Sequence, residues 1–118
     1  MTGRSSPLRV QQEQWAHARL AAVRELAAAL VRRGAQSIIL FGSLAAGETV
    51  GPDSDVDLVV VLPGIEQVRF HKRLVDAEEV LRFPFPLDLA VYSPGEWEHM
   101  RERSFVQNEI LGRGVVLH

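Results

Sequence analysis

The chain contains no cysteine. That excludes disulfides and thiolate metal sites, and it fits a cytoplasmic protein. Lysine is nearly absent too: Lys72 stands alone beside twelve arginines. This bias by itself assigns neither a genome nor a growth temperature. Charge of one sign is also lacking. The net charge is −2, so bulk electrostatics gives no case for direct nucleic-acid binding. No apolar run approaches the length of a membrane span. Arg4 and Arg9 are not followed by the apolar core that a signal peptide needs. Repeats, low-complexity segments and internal linkers are missing. What remains is 118 residues of ordinary globular composition, 47% hydrophobic and 24% charged. That is enough to bury a core in one domain. The domain is expected to span residues 1–118, with residues 1–6 as a loose tail.

Periodicity divides this domain into alternating elements. Pro7 is expected at the first position of a first helix, after Ser6 as its cap. Trp15, Ala18, Ala22, Leu26 and Leu30 recur at helical spacing, and Gly34 would end that helix. Ser37 to Phe41 reads as a buried strand, and a short helix should run from Ser43 to near Gly47. Gly51-Pro52-Asp53-Ser54 is turn chemistry. Asp55 to Leu62 reads as a second strand, closed by Pro63-Gly64. Phe70, Leu74, Ala77 and Leu81 predict a third helix. Leu87 to Tyr92 reads as a third strand. Ser93-Pro94-Gly95-Glu96 has the form of a capping box opening a fourth helix, which would run, with a break near Ser104, to Gly112. Val115 to Leu117 fits a short last strand. The fold class is α/β or α+β: a small mixed sheet with helices mainly on one face.

Three acids stand out against this frame. Asp55 and Asp57 open the second strand, and Asp88 interrupts the third. A carboxylate inside a strand is costly to bury unless something pairs with it. Side chains alternate along a strand, so Asp55 and Asp57 share a face while Val56 points away. Two carboxylates one pleat apart can share a hard cation such as Mg²⁺, which takes oxygen ligands and completes its shell with substrate phosphates. Asp88 on a neighbouring strand could complete a two-metal site, with ions about 3.5–4 Å apart. Twelve residues before Asp55, the Gly42-Ser43 pair ends an apolar strand. Glycine lets a phosphate approach the backbone, and the amides of a following helix start point at the anion. Ser43 adds a hydroxyl donor.

Plainer readings stand beside these. Asp55 and Asp57 could be a solvated strand start, and Asp88 an acid on an edge strand. Asp53 fits its turn. Ser43 could cap the short helix, a role compatible with phosphate binding. Glu48 reads as a loop acid. His17, His71, His99 and His118 show no ligand spacing and read as surface residues. Trp15 and Trp97 read as core anchors. Arg69, Lys72 and Arg73 make a basic helix face of the kind that is usually solvated.

Phe41-Gly42-Ser43, Gly47 and Ser54-Asp55-Val56-Asp57-Leu58-Val59-Val60 together resemble the signature of the polymerase-β-type nucleotidyltransferase superfamily. The chain's small size and Asp88 in a later strand resemble its minimal nucleotidyltransferase branch. The resemblance implies that Gly42 and Ser43 bind the triphosphate of an NTP, with ATP expected. It implies that Asp55 and Asp57 ligate Mg²⁺, with Mn²⁺ as a substitute. Asp88 would help hold a second ion and activate the acceptor hydroxyl. It further implies a helical HEPN-domain protein as partner and acceptor, in a toxin–antitoxin pair. Relatives often carry basic residues just after the Gly-Ser pair, where this chain has Leu44-Ala45-Ala46. The chain is too short for the extra domain with which larger relatives grip their acceptors, so a partner or an oligomer would supply the rest of the cleft. Two alternatives stay open: a module that neutralises a partner by contact alone, and a domain that senses nucleotide without transferring it.

Overall fold

Ile38, Ile39, Leu40, Leu58, Val59 and Val60 have almost no accessible surface, and they build the middle of a four-stranded sheet. The computed structural model describes residues 7–48 and 50–118; Ser6 and the expected tail lie outside the described residues. The strands are β1 (Ser37–Phe41), β2 (Val56–Val61), β3 (Leu87–Tyr92) and β4 (Val115–Val116). Their order across the sheet is β3-β2-β1-β4. β1 runs antiparallel to β2 and β4, whereas β2 and β3 are parallel, so the sheet is mixed. β1 and β2 are covered on both faces. This is why they read as continuous apolar runs and not as alternating ones.

Alternation sorts their side chains into two cores. Ile38, Leu40, Leu58 and Val60 join Val23, Leu26 and Leu30 in the larger one. Ile39, Val59 and Val61 join Trp97, Val106 and Ile110 in the smaller one. Each fully buried Leu or Val contributes about 1.5–3 kcal/mol relative to exposure. The larger core lies under helix α1 (Pro7–Arg32), whose buried residues are Arg19, Val23, Leu26, Ala27 and Leu30. Helix α2 (Gly42–Ala46) and helix α3 (Glu78–Leu81) contribute Leu44 and Val80 to the same side. Helix α4 (Pro94–Met100) and a π-helical turn over Val106–Leu111 cover the other face. Most of the helical layer is thus on one face of the sheet. None of the described helices is long and apolar enough to cross a membrane.

Local signals account for most boundaries. Gly34, at φ 105°, closes the turn after α1. Gly47, at φ 71°, is the left-handed C-cap of α2. The capping box before α4 is formed: the Ser93 hydroxyl accepts from the Glu96 amide, and the Glu96 carboxylate accepts from the Ser93 amide. The third helix is a correction. Phe70, Leu74, Ala77 and Leu81 do not share one helix. The chain makes a single 3₁₀ turn at Phe70–Lys72, turns at Leu74 with φ 62°, and forms only the short α3. The cause is Arg73, buried and not solvated. Its guanidinium donates to the carbonyls of Val68 and Val91 and forms a two-pronged pair with Glu96, at 2.5 and 3.0 Å. That anchorage on the edge of β3 outweighs helix propensity.

Candidate active site

The site is built where β1 ends and β2 and β3 begin. β1 and β2 pair with Phe41 opposite Asp57, and β2 and β3 pair with Asp57 beside Asp88. Partners in a parallel ladder project to one side, so Asp57 and Asp88 share a face of the sheet. It is the face of Val59, Val61, Ala90 and Tyr92. Asp55 lies two residues before Asp57, immediately ahead of the first residue of β2. Asp57 is half-buried, whereas Asp55 and Asp88 are exposed. The Asp57 carboxyl is pushed above the usual carboxylate range, first by burial, then by the charge of Asp88, then by that of Asp55. The charges of Asp88 and Asp55 therefore both bear on Asp57 at this edge.

Gly42 completes the floor. Its φ of 78° turns the chain from β1 into α2. A Cβ added there would run into the Asp57 Oδ2 and stand 3.1 Å from its Cγ. The missing side chain is the space that the Asp57 carboxylate occupies. Ser43 follows as the second residue of α2, half-buried. The N-cap of that helix, Phe41, is extended and offers no side-chain hydrogen bond to its amides. Leu44 turns into the larger core and Ala45 packs against it, which gives the apolar residues after the Gly-Ser pair a structural role.

The donor set is all oxygen, and mutual repulsion among carboxylates is what a hard divalent cation relieves. Among the described residues no three acids or imidazoles are drawn into a ready-made cage. The residues thus fit an ion held by one or two carboxylates and completed by phosphate oxygens and water, the manner Mg²⁺ favours.

The surrounding residues divide as follows. Asp53 is exposed in the 51–54 turn, where the Gly51 amide donates to the Ser54 hydroxyl at 2.8 Å. Glu48 is an exposed loop acid, 3.5 Å from Arg113. All four histidines are exposed. Trp97 is buried and Trp15 packs against the larger core. A cleft of about 530 Å³ opens along β3 beside Asp88, with Phe70, Val75, Val80 and Leu89 in its lining. One residue with a direct bearing on the site escapes the periodicity given above: Arg19. It is buried and donates to the carbonyl of Ser54, the residue before Asp55. The signal was a charge within an apolar stripe, since the buried face runs through Arg19, Val23, Leu26 and Leu30 and leaves Ala18 exposed.

Comparison with known proteins agrees with this architecture. A solved structure of a candidate nucleotidyltransferase from Sulfolobus solfataricus superposes with a TM-score of 0.53. It is 21% identical, and the match covers 98% of this chain and 90% of that one. At that identity the likeness speaks for the fold. No curated protein matches the chain. The family described as nucleotidyltransferase domain matches residues 23–116, a span that holds β1 to β4, Gly42, Ser43 and all three acids. The chain belongs to the nucleotidyltransferase domain family.

Proposed function

We propose that this protein transfers AMP from ATP to a hydroxyl group of a protein partner, in a magnesium-dependent reaction. The family gives the reaction class, transfer of a nucleoside monophosphate. The observation that carries the finer reading is the placement of Asp57 beside Asp88 on adjoining strands, with the Asp57 carboxylate seated against the backbone of Gly42. Asp55 and Asp57 would hold Mg²⁺, Asp88 would help hold a second ion, and the metal would supply charge neutralisation at the phosphates. Gly42 and Ser43 would receive the triphosphate through the Ser43 hydroxyl and the main-chain amides that open α2, beside the Asp57 carboxylate that fills the space of a residue-42 side chain. Asp88 is exposed, so it can meet an acceptor hydroxyl and take its proton. The acceptor oxygen then attacks the α-phosphorus. The bond from that phosphorus to the bridging oxygen breaks, and pyrophosphate leaves in line. Catalysis is positioning and electrostatic stabilisation.

The acceptor is proposed to be a helical HEPN-type protein, with this chain as its antitoxin, in keeping with the resemblance to minimal nucleotidyltransferases. The cleft beside Asp88 fits a protein acceptor, because its lining sets Phe70, Val75 and Leu89 beside His71 and Arg73, a mixed surface that would take a side chain next to the modified hydroxyl. A second reading has one observation in its favour. Leu44 is buried in the core, so the position after the Gly-Ser pair offers a phosphate no basic group. On that reading the chain neutralises its partner by contact alone. One experiment separates the two. The chain, the partner, Mg²⁺ and ATP are mixed, and the intact partner is weighed by mass spectrometry. Addition of one AMP is expected. An unmodified partner that is nevertheless neutralised would establish contact alone.

A further inference from the structure

Arg19 lies on the buried face of α1, with only 1% of its surface accessible. Burying a charge is costly without compensation. Among the described residues no carboxylate forms an ion pair with it; its donors go to main-chain carbonyls instead. Nη2 donates to Pro52 O at 2.8 Å, Nε to Ser54 O at 3.1 Å and Nη1 to Trp15 O at 3.2 Å. The ring of Phe85 lies 4.4 Å from its Cζ. A leucine at residue 19 would continue the apolar stripe at lower desolvation cost.

What Arg19 touches gives it a role. Pro52 and Ser54 belong to the turn that delivers Asp55. Phe85 lies three residues before Asp88, and Phe83 packs edge-on against it at 6.0 Å. Between these two segments, the Val56 amide donates to Pro86 O at 2.8 Å, the first rung joining β2 to β3. One planar guanidinium therefore grips both stretches of chain from which the acids emerge. Lysine could not copy this, because an ammonium lacks the flat fork that spans several carbonyls while stacking on a ring.

We propose that Arg19 is a positioning residue that fixes the approach to Asp55 and the approach to Asp88 at one spacing. The role rests on the reading of Asp55, Asp57 and Asp88 as the reacting centre. Acting through the backbone, Arg19 would leave the acids free to meet phosphate while limiting their drift.

The test uses Arg19→Met, Arg19→Lys and Phe85→Leu in the full chain, with two readouts. The first needs no ligand: hydrogen exchange of the Val56 amide, compared with Val59 and Val60, by NMR. Val56 is expected to lose about tenfold more protection than the other two, the mark of local opening. The second is Mn²⁺ binding followed by electron paramagnetic resonance, whose midpoint should rise about tenfold or more in Arg19→Lys. Should Arg19→Met not fold, Arg19→Lys and Phe85→Leu carry both readouts. Equal loss of protection at all three amides, with an unchanged Mn²⁺ midpoint, would overturn the proposal and leave Arg19 a general stabiliser. Selective opening at Val56 in a protein that binds no Mn²⁺ even as wild type would uphold the positioning role and count against the metal site itself.

Discussion

The carboxylate of Asp57 occupies the space that a side chain on residue 42 would need: a Cβ on Gly42 would run into its Oδ2. Glycine is thus required here for two independent reasons. The backbone at φ 78° is one that L side chains rarely adopt, and the volume above it belongs to the acid. The turn that would admit a phosphate and the acid that would hold its cation are parts of one arrangement.

Gly42→Ala should therefore damage the site more than the fold. Strain at a left-handed position costs about 1–3 kcal/mol. The displaced carboxylate would lose its alignment with Asp88. Nucleotide transfer should fall at least tenfold while the circular dichroism spectrum stays native. Gly64, also at positive φ but with nothing within 4 Å of an added Cβ, is the control. Gly64→Ala should lower the melting temperature and spare transfer. Equal effects of the two on transfer would mean that Gly42 acts only through backbone strain.

Asp57 should make the metal-free protein sensitive to pH. Its carboxyl is raised in the folded state by burial, Asp88 and Asp55. A raised group contributes stability that is complete below its unfolded pKa and is lost as pH rises through the folded one. Melting temperature without metal should thus decline as pH climbs through and beyond the ordinary carboxylate range. Asp57→Asn should flatten that decline. Saturating Mn²⁺ and ATP should reverse it in the wild type, by about 2.7 kcal/mol at one hundred times Kd and on the order of 10 °C. Asp57→Asn should show no such gain. An unchanged wild-type melting temperature would count heavily against a working metal site.

The pair Arg73–Glu96 makes the opposite pH prediction. Glu96 is held down to about 2, from an ordinary 4.5, chiefly by its hydrogen bond to Arg73. A lowered acid contributes stability that is present above its unfolded pKa and lost as pH falls through the folded one. The stability difference between wild type and Glu96→Gln should therefore be full above pH 4.5 and shrink towards pH 2. At neutral pH the substitution should cost about 2 kcal/mol, less than a fully buried pair, because Glu96 is 40% exposed on its side chain. Urea titrations at stepped pH measure this directly. A pH-independent difference would show that packing of Arg73, not its charge pair, holds the 68–76 segment on β3.

The elements that carry the acids were legible because their signals are local. A run rich in β-branched residues such as Leu58-Val59-Val60, bounded by the 51–54 turn and Pro63-Gly64, favours a strand, and alternation along it places Asp55 and Asp57 on one side. Gly34, Gly47 and the Ser93–Glu96 box mark ends that need only neighbouring residues. Asp88 was readable as an acid on a neighbouring strand that could join Asp55 and Asp57, but the register that sets it directly beside Asp57 was not, because register depends on how two distant strands meet. The stretch from Phe70 to Leu81 carried a helical period, yet its course is decided by Arg73 bonding to Val91 and Glu96, some twenty residues away. Arg19 was hidden for a similar reason. Its acceptors, Pro52 and Ser54, are more than thirty residues distant. In both cases a buried arginine satisfies main-chain carbonyls, a use that hydrophobic periodicity does not register.

Asp88 and Asp55 flank Asp57, but they should fail in different ways. Asp88 is exposed and lines the cleft along β3, by which an acceptor would approach. Asp55 belongs to the turn side, next to the Gly51–Ser54 hydrogen bonds. Asp88→Asn should therefore lose transfer by 10²-fold or more, the scale of a lost general base, while keeping most ATP affinity. Asp55→Asn should lose both, because it would hold the cation that carries the triphosphate. Neither substitution removes core volume, so both proteins should melt within a few degrees of wild type. ATP binding by calorimetry with Mg²⁺, set beside the rate of AMP transfer, separates the two roles. If Asp88→Asn binds ATP as weakly as Asp55→Asn, the two acids serve one metal site and the acceptor must be activated by a group of its own.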